Sequence, residues 1–255
     1  MTSVAICSAK HSPGATTLAL ALAARSGAML IEADPSGGDL AARWGLSLDP
    51  GLLTLAAASR RGLDSDLIER HTQITEAGYR LLAAPPSAEQ CRSALLSLGA
   101  AFASTVRTRV SETASEGLDS VADCGRWDPN GPSVDLVREA DVALLVLRPS
   151  IETVAHARSR LASLVPLARM TVVVCIGNRP YDPAEVSAAL GDAPTLAIAD
   201  DRSGADHLAG GRGIDRVLRR TSLVRSLDPL LAMLTEPGTT AATAATAATK
   251  RMVPA

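Results

Sequence analysis

The chain has 255 residues, of which 47% are hydrophobic and 20% are charged, and its formal net charge is −2. This length and apolar content suffice for one full hydrophobic core, while the near-neutral charge gives no global indication of nucleic-acid binding. Aromatic residues make up only 2% of the chain, which leaves little material for the base-stacking surfaces of single-strand nucleic-acid binders. No uncharged apolar run reaches about 18 residues and no secretory leader is recognisable, so we expect a cytoplasmic protein with no membrane span.

The cysteines and histidines follow no metal-binding pattern. Cys7, Cys91, Cys124 and Cys175 match neither a CxxC pair nor a His/Cys zinc spacing. Cys7 and Cys175 lie in apolar runs, where a reduced cysteine behaves as a small hydrophobic residue. We therefore expect buried thiols.

Short apolar runs alternate with longer helical patterns along the chain. Continuous apolar strands are typical of a sheet covered on both faces, and strand–helix alternation indicates right-handed crossovers. The expected fold is α/β, with a mainly parallel twisted sheet flanked by helices. The predicted strands are 3–7, 28–33, 79–83, 120–124, 142–147, 171–176 and 195–199, and the predicted helices are 17–25, 87–116, 133–139, 151–167, 183–190 and 213–234.

The last part of the chain has a different composition. Residues 236–255 repeat Ala-Ala-Thr with almost no charge and no bulky apolar face. Such a segment buries too little apolar surface to offset the entropy of ordering, and it lacks the apolar stripe of a membrane-binding helix. We expect one domain over residues 1–235 and a disordered Ala/Thr-rich tail over residues 236–255.

The segment after the first strand has the form of a phosphate-binding loop. Such loops aim backbone N–H groups and a helix N-terminus at the anion, and a threonine at the helix start binds Mg²⁺. Gly14, Thr16 and Thr17 fit this scheme, with Thr16 in the Mg²⁺ position, whereas Ala15 stands where a lysine is expected. A Ser/Pro/Gly-rich turn without a ligand is the alternative interpretation.

Residues 10–17, which read KHSPGATT, resemble the deviant Walker A motif of the ParA/MinD family of P-loop ATPases, K-G-G-x-G-K-[ST]-[ST]. Lys10 falls on the signature lysine, which in this family reaches the nucleotide of the partner subunit. His11 and Ser12 replace glycines and Ala15 replaces the lysine of the same subunit, so the motif is degenerate. The resemblance implies a three-layer α/β/α P-loop fold, ATP and Mg²⁺ as cofactors, and a homodimer.

Further segments follow in the order of the family. Residues 31–40, IEADPSGGDL, resemble its D-x-D-P segment, so Asp34 takes the position of the aspartate that orients the attacking water, with Glu32 replacing the first carboxylate. Residues 118–125, LDSVADCG, resemble the Walker B strand, whose aspartate, here Asp123, would hold Mg²⁺ through a water molecule. Catalytic roles are thereby implied for Lys10 and Asp34. An N-cap is the alternative role for Asp34.

The resemblance extends over residues 2–235. Residues 172–179, VVVCIGNR, are similar to the strand whose terminal asparagine reads the adenine edge, which implies that role for Asn178. A turn cap is the alternative. Residues 79–86, YRLLAAPP, are similar to a segment of the MinD-like branch, which includes the TadZ/CpaE proteins of pilus assembly.

Ala15 bears most directly on the expected activity. A missing lysine removes a charge-assisted phosphate contact worth roughly 1.5–3 kcal/mol, about 10–100-fold in affinity, and a larger loss is expected for hydrolysis. We interpret the chain as a dimeric positioning or assembly factor with attenuated ATP binding and slow or absent hydrolysis, acting through a protein partner. One alternative is an active ATP-hydrolysing switch for DNA partition or subcellular positioning. Another is nonspecific DNA binding through the arginine-rich stretch with Arg212, Arg216, Arg219, Arg220 and Arg225. A helix face with several arginines more often forms a solvated surface.

Overall fold

The structure, a computed structural model, describes residues 2–11, 13–108 and 117–235. Within them an 8-stranded sheet has the order β3-β4-β2-β5-β1-β6-β7-β8. All neighbouring strands are parallel except β3 and β4, which confirms the predicted, mainly parallel α/β sheet. The strands are β1 (Thr2–Ser8), β2 (Met29–Glu32), β3 (Gln73–Ile74), β4 (Arg80–Leu82), β5 (Leu118–Arg126), β6 (Val142–Leu147), β7 (Thr171–Ile176) and β8 (Thr195–Ile198).

Helices cover both faces of this sheet. One hydrophobic cluster joins the sheet to α1, α2 and α9–α11, and a second joins its other face to α3–α8. The three-layer α/β/α arrangement is therefore confirmed. The helices are α1 (Ala15–Ser26), α2 (Leu40–Trp44), α3 (Leu52–Ala58), α4 (Ser65–His71), α5 (Ala88–Thr108), α6 (Val134–Glu139), α7 (Ile151–Leu164), α8 (Pro183–Ala189), α9 (Arg202–Ala209), α10 (Ser222–Arg225) and α11 (Asp228–Thr235).

The register of the central strands brings distant segments of the chain together. Asp123 on β5 lies opposite Ile6 on β1 and opposite Glu32 on β2. Three residues further along β5, after a register shift, Arg126 lies opposite Ser8, the last residue of β1. The carboxyl ends of β1, β2 and β5 consequently meet at one edge of the sheet, the usual ligand-binding edge of an open α/β fold.

The single helix predicted over residues 213–234 is wrong. A 3₁₀ turn at Leu218–Arg220 is followed by the separate helices α10 and α11. The break occurs at Thr221, whose backbone is extended and whose side chain accepts a hydrogen bond from the N–H of Val224, so a new helix starts there. The five arginines at 212, 216, 219, 220 and 225 are all exposed, but they do not share the face of one helix.

All four cysteines are free and buried, as expected. The predicted helix over residues 87–116 is observed only in part, as α5, because the backbone of α5 is non-helical at Gly99, with φ 50° and ψ −149°. Residues 109–116 of that prediction, and the tail predicted over residues 236–255, lie outside the described part of the chain. Among the described residues, no helix combines the length and the apolar character needed to cross a bilayer.

Candidate functional site

The loop between β1 and α1 has the backbone of a phosphate-binding loop. Gly14 precedes the helix with φ 111°, a left-handed conformation that strains any residue with a side chain. His11 also has a positive φ, 58°, at a position where the resembled motif has glycine. The N–H of Ala9 donates to the carbonyl of Val146 on β6 at 3.0 Å, which fixes the start of the loop on the sheet. The loop thus keeps a glycine-type backbone even where glycine is replaced.

Thr16 and Asp123 are in direct contact. The Thr16 hydroxyl donates to Oδ2 of Asp123 at 2.6 Å, and the N–H of Gly125 donates to Oδ1 at 3.2 Å. Burial, with a smaller contribution from the charge of Asp34, raises the pKa of Asp123 to about 6 against the effect of these two hydrogen bonds. Mg²⁺ prefers oxygen ligands, and the hydroxyl and the carboxylate of the two residues predicted to hold the metal lie next to each other.

Asp34 lies against the backbone of Gly125. A Cβ on Gly125 would come within 2.2 Å of Asp34 Cγ, and Gly125 has φ 65°. The carboxylate of Asp34 also accepts a hydrogen bond from the N–H of Ser36 at 2.8 Å, and its carbonyl accepts one from the Cys91 thiol at 3.1 Å. Asp34 is therefore held at the end of β5, next to the Thr16–Asp123 pair, by contacts that only a glycine at position 125 permits.

Glu32 holds the loop that follows β2. Its Oε1 accepts the N–H groups of Asp39 and Leu40 at 2.9 Å, and its Oε2 accepts that of Ala84 at 3.1 Å. Burial raises the pKa of Glu32 to about 6, while these three bonds oppose the shift. Glu32 thus ties the loop carrying Asp34 to the end of β4. The sequence identifies Glu32 as the first carboxylate of its segment, but not this role, because the role depends on β2 and β4 being neighbours in the sheet.

A cavity of about 790 Å³ opens at these strand ends. It contains five of the predicted site residues, namely Gly14, Thr16, Thr17, Asp34 and Asp123. Three arginines that the sequence analysis did not single out also line it, Arg43, Arg92 and Arg126. Arg126 could have been found because it directly follows the Walker B-like segment, whereas nothing in the sequence distinguishes Arg43 or Arg92. The remaining lining residues are Ser8, His11, Ala15, Leu20, Pro35, Ser36, Asp39, Gly125, Asp128, Gly131, Pro132, Ser133 and Ala209.

Position 15 contributes a methyl group and no charge to this cavity. Ala15 is the first residue of α1, is 7% exposed and packs in the hydrophobic cluster on that face of the sheet. The lysine of a standard phosphate loop would project from this position. The cavity therefore contains Gly14 and the two residues predicted to hold a metal, but no lysine at position 15.

Lys10 does not line the cavity. It is partly exposed, and its charge acts on the start of α7. The Ser150 hydroxyl is the main cause that lowers the pKa of Glu152, and Lys10 adds to it. Desolvation is the largest cause that lowers the pKa of His156, and the charge of Lys10 comes next. Lys10 thus lies beside α7, outside the group formed by Thr16, Asp34 and Asp123.

Asn178 is exposed just beyond the end of β7. Beside it, a cleft of about 60 Å³ shares Gly14 and Thr17 with the large cavity. Its other lining residues are Pro13, Leu18, Arg148, Ile176, Ile198, Ala199, Asp200, Asp201, Ala205 and Leu223. Asn178 is not among the lining residues. An ion pair between Arg148 and Asp200, with two bonds of 2.5 and 3.0 Å, lines one side of the cleft.

No protein-family model and no curated protein matches the sequence. Solved structures do match. A ParA family ATPase from Chlorobium tepidum TLS superposes with a TM-score of 0.71 at 17% identity, over 92% of this chain and 98% of that one. The cell division ATPase MinD of Pyrococcus furiosus gives 0.63 at 16% identity, over 90% and 100% of the two chains. MinD of Pyrococcus horikoshii OT3, complexed with Mg-ADP, gives 0.57 at 14% identity, over 93% and 100%. The fold of this chain is that of the ParA and MinD ATPases, as the order of the motifs predicted.

Proposed function

Since the chain has the fold of the ParA and MinD ATPases, we propose that it is a dimeric positioning or assembly factor with attenuated ATP binding and slow or absent hydrolysis. The observation that carries the proposal is the contrast between two adjacent residues at the start of α1. Thr16 contacts Asp123 at 2.6 Å, while Ala15 is an uncharged, buried residue. The site therefore has metal ligands and a phosphate loop without the lysine of the same subunit.

This residue set fits a magnesium–nucleotide complex. Thr16 and Asp123 would hold the ion, and the N–H groups at the start of α1 would face the phosphates. Bound Mg²⁺ would supply charge neutralisation between the phosphates. The Pyrococcus horikoshii relative was crystallised with Mg-ADP, which supports the same ligand class for this chain.

Attenuated hydrolysis follows from the missing charge. Negative charge develops on the phosphate oxygens in the transition state, and a fixed cation stabilises it more than it stabilises bound substrate. Ala15 therefore lowers turnover more than affinity. Asp34, beside Gly125, is the residue that would orient the attacking water. The intact group of Thr16, Asp34 and Asp123 is the one observation that favours the alternative, an active ATP-hydrolysing switch.

The role of Lys10 is part of the proposal. Its position outside the cavity and beside α7 suits contact with a second subunit better than contact with a nucleotide in its own cavity. We expect Lys10→Ala to weaken dimer formation in the presence of Mg·ATP. A partner protein that binds the dimer would then be the functional output, as expected of an assembly factor.

Two measurements on the same sample test this function. We expect phosphate release under saturating Mg·ATP to stay near background, and light scattering after size exclusion to show a dimer that Lys10→Ala weakens. Phosphate release at rates ordinary for ATPases, with a dimer that forms on ATP addition and is lost on hydrolysis, would establish the active switch instead. A protein that is monomeric under all conditions would contradict both.

A further inference from the structure

The large cavity contains positive charge from a source other than the phosphate loop. Arg43 in α2, Arg92 in α5 and Arg126 at the end of β5 all line it, whereas Lys10 does not and position 15 is alanine. Carboxylates, including Asp34 and Asp123, also line the cavity. They would repel an anion unless positive charge nearby offset them. These arginines are therefore the side chains of the cavity that could offset this negative charge when a polyphosphate binds.

Arg126 is held by buried neighbours but is itself exposed. On one side of it, Gly125 is buried and its N–H donates to Asp123. On the other side, the N–H of Trp127 donates to the carbonyl of Ser8 at 3.0 Å, which ties this end of β5 to the start of the phosphate loop. Among the described residues, the guanidinium of Arg126 donates no hydrogen bond within the chain and forms no ion pair. All five of its N–H groups are available to a ligand.

Arg92 is attached to the loop that carries Asp34. Its Nε donates to the carbonyl of Pro35 at 3.3 Å, and no carboxylate pairs with it among the described residues. The rest of its exposed guanidinium is free to meet an anion. Arg43 differs, because it already forms an ion pair with Asp39 at 3.1 Å on its own helix. Of the three arginines that line the described cavity, Arg126 and Arg92 are therefore the two without a carboxylate partner among the described residues.

The strand order sets which end of a nucleotide these arginines would face. The small cleft lies at the ends of β7 and β8, on one side of β1, and shares Gly14 and Thr17 with the large cavity. Arg126 lies on β5 and Arg92 is tied to the loop after β2, and both of these strands are on the other side of β1. A nucleotide lying across the phosphate loop with its base toward the cleft would direct its terminal phosphates at the arginines.

We propose that Arg126 and Arg92 bind the terminal phosphates of a nucleoside triphosphate in place of the lysine that is absent at position 15. This inference rests on the proposed function. The planar guanidinium forms paired hydrogen bonds to phosphate oxygens, so arginine serves this purpose at least as well as lysine. Because both arginines approach from the side of the cavity opposite the cleft, they distinguish a triphosphate from a diphosphate.

The test is a titration with fluorescent ATP and with fluorescent ADP, each with Mg²⁺, on the native chain and on Arg126→Ala, Arg126→Gln and Arg92→Ala. A charge-assisted contact corresponds to a loss of roughly tenfold or more. We expect each substitution to weaken ATP binding by about that factor and ADP binding by less than about threefold. Arg70→Ala is the matched control, since Arg70 is exposed in α4 and lines neither the cavity nor the cleft.

The outcomes separate the inference from the function it rests on. If the native chain binds ATP and all three variants bind it equally tightly, the inference is overturned and the proposed function remains. Equal losses for ATP and ADP also overturn it, because they indicate a general effect on the cavity instead of contact with the terminal phosphate. Failure of the native chain to bind either nucleotide overturns the nucleotide part of the proposed function, and the inference falls with it.

Discussion

The hydroxyl of Thr16 lies 2.6 Å from a carboxylate oxygen of Asp123, although the two residues are 107 positions apart in the chain. The contact exists because β1 and β5 are parallel neighbours whose carboxyl ends meet at one edge of the sheet. It joins the helix that follows the phosphate loop to the strand that resembles Walker B. The two residues that we propose as metal ligands are thus in contact, while position 15, at the start of the same helix, is alanine.

The first prediction concerns the ionisation of Asp123. Burial raises its pKa from 3.8 to about 6, so the folded chain binds more protons than the unfolded chain between these two values. The contribution of Asp123 to the free energy of unfolding is therefore fully present below pH 3.8 and is lost as the pH rises through about 6. We expect Asp123→Asn to raise the free energy of unfolding by about 1–3 kcal/mol near pH 7.5 and to give little gain near pH 4.

Urea denaturation at both pH values measures this difference. Asp206→Asn serves as the control, because its side chain is 74% exposed and the substitution should change stability equally little at either pH. If Asp123→Asn raised the free energy of unfolding equally at both pH values, burial would not be raising the pKa of Asp123.

The second prediction concerns the contact between Gly125 and Asp34. A methyl group at position 125 would meet the Asp34 carboxylate at 2.2–2.5 Å, whereas Gly45, with nearly the same φ of 64°, has no such neighbour within 4 Å. We expect Gly45→Ala to cost about 1 kcal/mol from backbone strain alone, and Gly125→Ala to cost about 2–4 kcal/mol. Thermal or urea denaturation of the two variants checks the difference.

A double variant isolates the cause. Asp34→Ala removes the atoms that a methyl at position 125 would meet, so it should recover most of the excess cost of Gly125→Ala. Equal losses for Gly125→Ala and Gly45→Ala would mean that Asp34 does not lie against Gly125.

The third prediction concerns Glu32. Glu32→Ala leaves three backbone N–H groups, those of Asp39, Leu40 and Ala84, without their acceptor. We expect a loss of about 2–4 kcal/mol in the free energy of unfolding, with faster hydrogen exchange at these three amides than in the native chain. Glu152→Ala, at an exposed carboxylate outside the cavity, is the control and should leave the exchange of these three amides unchanged. Unchanged exchange at the three amides would show that Glu32 does not fix this loop.

The strands of the sheet were predictable because they are continuous apolar runs, and β6 and β7 were predicted to the residue. The two-residue β3 was missed, since a segment that short has no periodicity. The helix predicted over residues 213–234 was wrong because Leu218, Leu223 and Leu227 keep a helix-like apolar spacing across Thr221, where the backbone is extended. The apolar pattern persists through the break because the separate segments pack on the same face of the sheet.

The site was predictable only as far as motifs at strand ends identify it. Thr16, Asp34 and Asp123 follow buried strands, and parallel strands bring such positions together. Arg92 lies in the first turns of a long helix and reaches the cavity only because α5 packs beside the loop after β2. That placement depends on tertiary packing, which no local pattern in the sequence encodes.

We propose that an attenuated nucleotide site remains in this chain, because the loop before α1 and the Thr16–Asp123 pair are present while position 15 is alanine. The measurement that tests it most directly is a titration with fluorescent ATP, with and without Mg²⁺, on the native chain and on Ala15→Lys. We predict weak, Mg²⁺-dependent binding by the native chain, and binding tighter by roughly 10–100-fold for Ala15→Lys. Equal ATP affinity of the native chain and Ala15→Lys, or binding that does not depend on Mg²⁺, would contradict this proposal.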